Sequence, residues 1–408
     1  MKILVLNSGS SSQKSALYEI AAALPAHPPV PLWEGKIEWD GDAAKIAARN
    51  SQGQQRNENA KVASRSDATG QLLETLWQGP LRVISDPTEI NIVGHRIVHG
   101  GSEFEKATVI TPDVKSAIAR MSAFAPLHNR AELEGIEIIE QHMGAVPQVA
   151  VFDTGFHRHI PDSAAVYPGP FEWIGKGICR YGFHGINHQY CAERTAQLLG
   201  KDLHSLKLVT CHLGNGCSLA AIRHGRSIDT TMGFTPLEGL MMGTRSGTVD
   251  PGILTYLLRE GQFTAKQLDD LLNTKSGLLG ISGISGDMRQ IVSAMNQNNP
   301  RAKLAFDIFV HRLQTGIGAM VAALGGIDAL VFTAGIGENS PEVRAAACSQ
   351  FAFLDLQLDP AKNAESPADR EISPPDSAVR VLIVRAQEDW TIARDCWRLA
   401  SAKTRSAV

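Results

Sequence analysis

Residues 208–233 read LVTCHLGNGCSLAAIRHGRSIDTTMG, and this stretch decides the fold class of the chain. The apolar run 208–213 predicts a strand, and Gly-Asn-Gly at 214–216 predicts a turn, because Asn and Gly accept positive φ values. A second strand is expected over 218–222, a tight turn over 224–226 and a third strand over 227–231. The glycines would also let backbone N–H groups approach an anion, although turn chemistry alone accounts for the pattern.

The N-terminus repeats this pattern. Residues 3–18 read ILVLNSGSSSQKSALY, again an apolar run, a turn rich in Gly, Ser and Asn, and a second alternating strand. Two such hairpins, far apart in the chain, indicate two related halves that each offer a loop to one phosphate chain. The N-terminal loop is not a Walker loop, because no glycine precedes Lys14 and a strand pattern follows where a helix is required.

Composition predicts a cytoplasmic protein of enzyme size. The 408 residues are 43% hydrophobic and 20% charged, which is typical of a globular protein with two domains. A net charge of −3 does not favour nucleic acid or an anionic membrane as a partner. The N-terminal apolar run is too short for a signal peptide, and no apolar run has the length of a membrane span. The six cysteines form no CxxC pair, which favours free thiols in a reducing compartment.

Strands and helices alternate in both halves. Further strands are expected over 33–39, 92–98, 149–152, 329–333 and 379–384. Helices are expected over 71–77, 188–199, 251–259, 264–272, 301–324 and 388–399, after Thr111 (with an end at Pro126), after Asn129, after Arg289 and after Ser340. Residues 40–70 are polar and predict short strands or a mobile excursion, and the glycines at 280–286 and 335–337 predict loops. Hairpins combined with this alternation predict two α/β domains on mixed sheets, with the ligand between them.

Several polar residues suit phosphoryl transfer. Arg245 stands between Gly243 and Gly247, and Arg96 ends a predicted strand. With Asp153 and His184, these arginines could position and stabilise a transferring phosphoryl group.

Two other chemistries are disfavoured. His184 and His188 have the spacing of a zinc helix, but neither the adjacent glutamate nor a third ligand is present. Gly335-x-Gly337 follows a predicted strand, but Ser340 replaces the third glycine of a dinucleotide site. The pattern instead favours a helix N-terminus that faces an anion or a nucleotide, because unpaired N–H groups and the helix dipole attract phosphate.

Eight segments together resemble the acetate kinase family, in family order over nearly the whole chain. They are Asn7-Ser-Gly-Ser-Ser-Ser with Lys14, His95-Arg96-Ile-Val-His-Gly-Gly, Pro126-Leu-His-Asn129, Phe152-Asp-Thr, Arg180-Tyr-Gly-Phe-His-Gly185, His212-Leu-Gly-Asn-Gly216, Gly243-Thr-Arg-Ser-Gly247 and Phe332-Thr-Ala-Gly-Ile-Gly-Glu-Asn339. The resemblance implies two related RNase H-like domains of the actin/Hsp70/sugar-kinase type, with mixed sheets and an active-site cleft between the domains. Residues 1–152, completed by a C-terminal helix over 388–408, would form the N-terminal domain, and 153–387 the nucleotide-binding domain.

The resemblance also implies an activity. It is the reversible phosphorylation of acetate by ATP to give ADP and acetyl phosphate, with Mg²⁺ or Mn²⁺, in a cytoplasmic homodimer. Catalytic roles would fall to Asp153, His184 and Arg245, and metal binding to Asn7 and Glu388. Substrate contacts would come from Arg96, Val98, Leu127, Phe183 and Pro236. Nucleotide contacts would come from Lys14, His212, Gly214, Asn215, Gly216, Asp287, Met288, Arg289, Gly335, Ile336, Gly337 and Asn339.

The chain departs from the family pattern at a few positions. Arg130 and Glu132 stand in a segment that usually reads His-Asn-Pro-x-Asn, and Ile186-Asn187 replace the usual Thr-Ser. Thr248 stands where the family usually has an acidic residue. These departures leave the acyl preference open, with propionate or butyrate kinase as alternatives. A catalytically silent ATP-binding relative is an alternative of another class, because a fold does not establish an activity.

Overall fold

The computed structural model describes residues 1–9, 12–40, 43–62, 64–122, 129–365 and 368–406. The chain divides into two compact units, Met1–Gly155 with Gln387–Val408, and Phe156–Ala386. The predicted functional division, with boundaries at 152/153 and 387/388, stays a prediction.

The first unit is built on an eight-stranded mixed sheet. Its strands are β1 (Lys2–Ser8), β2 (Ser12–Glu19), β3 (Trp33–Asp40), β4 (Ala43–Asn50), β5 (Gln55–Lys61), β6 (Ile92–Ile97), β7 (Thr108–Val109) and β8 (Gln148–Phe152). They lie in the order β5-β4-β3-β2-β1-β6-β8-β7, and the pairs β1/β6 and β6/β8 are parallel. Residues 40–70 were predicted to form short strands or a mobile excursion, and the structure shows strands. In β4, every second residue (Ala44, Ile46 and Ala48) is buried in the core. Lys14 lies within β2, as the rejection of a Walker loop required.

Four α-helices lie in the described part of this unit. They are α1 (Arg65–Glu74), α2 (Pro112–Met121), α3 (Asn129–Met143) and the C-terminal α15 (Glu388–Ser406). The predicted start of α2 is confirmed, whereas the start of α3 adjoins residues outside the described ranges and stays a prediction. Helix α1 was predicted too late, because the Ser64 hydroxyl accepts the Asp67 N–H and begins the helix earlier. The predicted helix end at Pro126 lies outside the described residues. Helix α15 packs closely on β6, because a Cβ at Gly94 would lie 2.6 Å from Ile392 Cγ2.

The second unit contains a six-stranded mixed sheet. Its strands are β9 (Lys207–Leu213), β10 (Cys217–Arg223), β11 (Arg226–Thr230), β12 (Ala329–Thr333), β13 (Arg370–Glu371) and β14 (Arg380–Ile383), in the order β11-β10-β9-β12-β14-β13. The predicted meander is confirmed as β9, β10 and β11. His224 and Gly225 turn the second hairpin with φ values of 53° and 71°, as a two-residue turn with two positive φ angles requires.

The two sheets repeat one topology. In the first unit β3, β2 and β1 are antiparallel and continue into the parallel strands β6 and β8. In the second unit β11, β10 and β9 are antiparallel and continue into the parallel strands β12 and β14. This repetition confirms the prediction of two related α/β halves with mixed sheets. The carboxyl ends of the parallel strands carry the polar residues singled out above.

Eleven helices lie in the described part of the second unit. They are α4 (Asp162–Ala165), α5 (Glu172–Gly175), α6 (Gly185–Leu199), α7 (Pro251–Arg259), α8 (Ala265–Thr274), α9 (Gly277–Ser282), α10 (Met288–Asn296), α11 (Pro300–Leu324), α12 (Ala334–Asn339), α13 (Pro341–Cys348) and α14 (Pro360–Ala364). The loop predicted over 335–337 is wrong, and the loop predicted over 280–286 begins later than expected, at Gly283, which ends α9. Gly280 lies inside α9, and 335–337 lie inside α12, because tertiary contacts override the low helix propensity of glycine.

Helix ends follow local signals more closely. Gly200 and Gly325 adopt the left-handed conformation and end α6 and α11, as predicted. Helix α6 begins at Gly185, before the predicted start, directly after His184 with a φ of 58°. Measured over the described residues, every helix falls short of the length and apolar character that a bilayer crossing demands.

Candidate active site

In the first unit, strand ends bring together two predicted site residues. Arg96 lies near the end of β6, and Asp153 follows β8, the parallel neighbour of β6. The Arg96 Nη2 donates to Asp153 Oδ2 over 2.8 Å, and the Asp153 side chain is fully buried. Because one carboxylate oxygen accepts from one end of the guanidinium, Asp153 fixes the orientation of Arg96.

Acidic neighbours keep Arg96 charged. Burial by itself lowers the pKa of its guanidinium, but nearby carboxylates, Asp153 first and then Glu388, outweigh this effect and raise the pKa. Arg96 therefore keeps its positive charge.

The first strand and the last helix meet at Asn7. The Asn7 Nδ2 donates to Glu388 Oε2 over 3.2 Å and to Asp389 Oδ1 over 3.1 Å. Burial raises the pKa of Asp389, against the lowering effects of the nearby Lys14 charge and of the Asn7 hydrogen bond. The structure thus brings together Asn7 and Glu388, which were predicted as metal ligands, and adds Asp389. The Glu-Asp pair in the sequence was the signal that could have identified this second acid.

In the second unit, His184 and Arg245 converge on the turn of the first hairpin. A side-chain carbon at Gly216 would lie 3.4 Å from His184 Nε2 and 3.6 Å from Arg245 Nη1. The other ring nitrogen of His184, Nδ1, lies 2.8 Å from the Ser218 hydroxyl oxygen. The His212 ring stacks on His184 at a centroid distance of 3.8 Å. His184 is therefore held on two sides while Nε2 faces the turn.

A buried network supports this arrangement. The Ser218 hydroxyl also contacts His188 Nε2 over 2.8 Å, and His188 Nδ1 contacts the Thr210 hydroxyl over 2.7 Å. Burial and the neighbouring His157 and His212 rings lower the pKa of His188 well below its usual value, so this imidazole is neutral. Each of its ring nitrogens lies within hydrogen-bond distance of a hydroxyl oxygen, so the His188 ring is fixed in orientation.

The glycines around Arg245 bring its segment onto the Asn215 turn. A Cβ at Gly243 would lie only 2.2 Å from Asn215 Oδ1, and the Gly243 N–H donates to the Asn215 carbonyl over 3.1 Å. Gly247 has a φ of 70°, and a Cβ at this position would lie only 2.4 Å from the Leu240 carbonyl oxygen. The Arg245 Nη1 donates to the Pro236 carbonyl over 3.3 Å. These glycines therefore allow the close approach that was expected on both sides of Arg245, and the role of its guanidinium stays a prediction.

A pocket of about 810 Å³ opens beside the same turn, within the volume range of small-molecule sites. Its predicted members are Gly214, Asn215, Asp287, Met288, Arg289, Gly335, Ile336 and Asn339. The members that were not predicted are Gly286, Val292, Ser340, Pro341 and Glu342. The sequence offered a signal only for Ser340-Pro341, as a helix start.

The remaining predicted nucleotide residues do not line this pocket. His212 stacks on His184, and Gly216 lies at the turn opposite His184 and Arg245. Gly337 is buried against the Phe332 carbonyl carbon, because in α12 it faces away from the side that carries Gly335, Ile336 and Asn339. Lys14 belongs to the first unit, where its charge acts on Asp389.

The predicted acyl-pocket residues are mostly buried. In the first unit, the Val98 N–H donates to Glu132 Oε2 over 3.0 Å. In the second unit, Phe183 is fully buried and its carbonyl lies 3.1 Å from His157 Nε2, whereas Pro236 contacts Arg245 through its carbonyl. Leu127 lies outside the described residues. Glu132 was noted only as a departure from the family pattern, and its burial had no signal in the sequence.

The sequence profile of the acetokinase family matches residues 2–394. The chain belongs to the acetokinase family. The acetate kinase of Cyanothece sp. is 59% identical over 408 residues, which is all of both chains. The acetate kinase of Trichormus variabilis is 58% identical over 402 residues, 98% of this chain and 99% of that one.

Solved structures of the acetokinase type share the fold. The acetate kinase of Porphyromonas gingivalis superimposes with a TM-score of 0.90 at 38% identity, covering 98% of this chain and 99% of that one. A propionate kinase from Francisella tularensis gives a TM-score of 0.88 at 36% identity, covering 97% and 98%. These matches confirm the predicted family and its two-domain α/β fold.

Proposed function

We propose that this acetokinase catalyses the reversible transfer of the γ-phosphoryl group of ATP to acetate, giving ADP and acetyl phosphate. Family membership over residues 2–394 and relatives named acetate kinase support this reaction. The observation that carries the proposal is the convergence of His184 Nε2 and Arg245 Nη1 on the Gly216 turn, beside the 810 Å³ pocket. Two donors that converge beside a nucleotide-sized pocket suit the stabilisation of a charged phosphoryl group.

The pocket of the second unit would hold ATP or ADP, which assigns nucleotide binding to this unit. Asn215 and the pocket face of α12 would lie along the phosphates, and Asp287, Met288 and Arg289 near the base and ribose. His212 and Gly337 would act indirectly, through His184 and through the packing of α12. Lys14 would act on the nucleotide only through charge.

The chemistry needs positioning more than proton transfer. Acetate is ionised at neutral pH, so its oxygen can attack the γ-phosphorus in line while the bond to ADP breaks, without a general base. Arg245 and His184 would donate to the phosphoryl oxygens as charge spreads over them. Arg96, oriented by Asp153, would bind the carboxylate or the transferred group. Val98, Leu127, Phe183 and Pro236 would limit the size of the acyl group.

The residues around Asn7 fit Mg²⁺ or Mn²⁺. An amide and a carboxylate, in contact between β1 and α15, offer the hard oxygen atoms that these ions prefer. Asn7 and Glu388 would hold the ion, with Asp389 as a further acid beside them. The bound ion would neutralise phosphate charge.

We also propose a homodimer, which the family resemblance implies. Helix α7 buries none of its residues in the described chain, and Ile253, Tyr256 and Leu258 are each more than 40% exposed. A second copy of the chain would cover this apolar helix.

The six cysteines are free thiols, as predicted, which supports a cytoplasmic location.

Hydroxamate trapping tests the proposed function and its alternatives together. The enzyme is incubated with ATP, Mg²⁺, hydroxylamine and acetate, propionate or butyrate, and the ferric hydroxamate is measured. We expect the highest kcat/KM with acetate. A higher value with propionate or butyrate would change the substrate assignment, and no hydroxamate from any acid would leave only a silent ATP-binding relative.

A further inference from the structure

Glu132 is a buried acid in the first turn of α3. Its side chain is almost fully buried, and Oε2 accepts the Val98 N–H over 3.0 Å. Within the described residues, Glu132 Oε1 and Arg96 Nε are both buried and have no hydrogen-bond partner. The carboxyl group therefore has one oxygen engaged with the end of β6 and one oxygen unused.

Arg96 already has an acidic partner. Asp153 accepts a 2.8 Å hydrogen bond from its Nη2, so one negative charge is matched to the one guanidinium. The charges that act on Glu132 are Arg96 at the end of β6 and Asp153 after β8, and Glu388 at the start of α15 acts on Arg96. If Glu132 were also ionised, Arg96, Asp153 and Glu132 together would carry two negative charges and one positive charge.

The surroundings of Glu132 favour the protonated form of its carboxyl group. Burial raises the pKa of its carboxyl group to about 8, the Asp153 charge adds to this effect, and Arg96 and the Val98 hydrogen bond oppose it. One turn earlier on α3, Asn129 Oδ1 is a second buried acceptor that lacks a donor within the described residues. A proton would convert Glu132 Oε1 from an acceptor into a donor. At neutral pH Glu132 is thus mostly uncharged.

We propose that Glu132 is a positioning residue that controls the binding of the carboxylate substrate at Arg96. In its neutral form it holds the Val98 N–H and leaves the charge of Arg96 to the substrate. In its ionised form it competes with the incoming carboxylate for the same guanidinium. The inference rests on the proposed function only in assigning the substrate carboxylate to Arg96.

This arrangement couples substrate binding to a proton. A second carboxylate at Arg96 disfavours the ionised form of Glu132 further, so acetate binding above pH 8 is accompanied by proton uptake. If only the neutral form binds acetate well, the apparent KM rises in proportion as that form is lost.

Glu132→Gln tests the inference, because glutamine keeps the size and the acceptor for Val98 but cannot ionise. Glu137→Gln is the matched control, since Glu137 lies on the same helix with 57% of its side chain exposed. The KM values for acetate and ATP are measured from pH 6.5 to 9.5. In the wild type and in Glu137→Gln, we expect the KM for acetate to rise up to about tenfold between pH 7 and 9. In Glu132→Gln the KM for acetate should stay the same between pH 7 and 9. The KM for ATP should not show this rise in the wild type or in either variant.

Calorimetry of acetate binding in two buffers of different ionisation enthalpy gives an answer that does not require turnover. We expect uptake of close to one proton at pH 9 in the wild type and none in Glu132→Gln. The same pH profile or the same proton uptake in both proteins would overturn the inference, as would a failure of the wild type to bind acetate. A wild type that forms no acyl phosphate but shows this proton uptake would overturn the proposed function alone.

Discussion

At the residue scale, the sequence singled out candidate site residues that lie close together within each unit, but not the atoms that hold them. Arg96 and Arg245 stood out through nearby glycines, and both lie where the structure places other site residues. The contact of Ser218 with His184 could not be predicted, because it joins residues on separate elements. The burial of Glu132 could not be predicted either, since burial depends on tertiary packing that one sequence does not reveal.

Arg245→Lys should lower turnover by roughly 10²–10³ while nucleotide binding is kept, because lysine retains the charge but loses the planar fork aimed at the phosphoryl oxygens. The measurements are kcat and ADP affinity by calorimetry. Arg259→Lys, at an exposed position at the end of α7, is the control and should match the wild type. Wild-type turnover in a folded Arg245→Lys protein would remove this arginine from the reaction.

Glu388→Ala should raise the Mg²⁺ concentration needed for half-maximal activity more than it raises the KM for acetate. The variant removes one of the two oxygen-bearing groups in contact at Asn7. Titration of activity with Mg²⁺ at fixed free ATP gives the comparison. Glu371→Ala, on a strand of the second unit, serves as the control. An unchanged Mg²⁺ requirement in Glu388→Ala would exclude this ligand assignment.

At the element scale, prediction succeeded where local chemistry sets the boundary. Thr111 and Pro112 start α2, Gly325 ends α11, and the Asn-Gly turn separates β9 from β10. Prediction failed for α9 and α12, which both contain glycines. In α12, contacts beyond the helix contribute: the Glu338 side chain accepts the Ala386 N–H from 48 positions away, and the buried Arg344 donates to the Glu338 carbonyl.

Arg344 supports helix α12, which lines the proposed nucleotide pocket, on the side away from that pocket. Its guanidinium donates to the carbonyls of Gly337 and Glu338 at the end of α12, both over 2.8 Å, and to both oxygens of Asn363, both over 2.7 Å. Arg344→Met leaves these buried acceptors without donors, each of which costs about 1–3 kcal/mol. We therefore expect a lower midpoint of chemical unfolding and a higher Kd for ADP.

The exposed Arg312→Met on α11 controls for loss of charge and should alter neither quantity. If Arg344→Met is destabilised but binds ADP like the wild type, Arg344 supports the fold without positioning α12 for the nucleotide.

At the scale of the whole molecule, chain length and the repeated hairpin were enough to predict two related halves. They could not show that the C-terminal helix returns to the first strand, because that contact joins Asn7 and Glu388, which lie 381 positions apart. The prediction that a C-terminal helix completes the N-terminal domain came from the resemblance to a family, because local sequence patterns carry no information about contacts between distant residues.

The apolar face of α7 belongs to this scale as well. Tyr256→Glu, at a residue 49% exposed, should shift the mass measured by light scattering towards the monomer, because a charge is costly in an apolar interface. Glu260→Gln, just beyond the end of α7, should leave the mass unchanged. If the wild type is a monomer, there is no dimer interface. If Tyr256→Glu is as dimeric as the wild type, the dimer interface lies elsewhere than α7.

The central claim is that the γ-phosphoryl group moves from ATP to acetate. Hydroxamate trapping also detects acyl adenylates, so the products themselves must be identified. Phosphorus-31 NMR of the enzyme with ATP, Mg²⁺ and acetate should show ADP and acetyl phosphate in equal amounts, and ADP with acetyl phosphate should give ATP. AMP and pyrophosphate, or ADP with inorganic phosphate and no acyl phosphate from the start of the reaction, would contradict the claim.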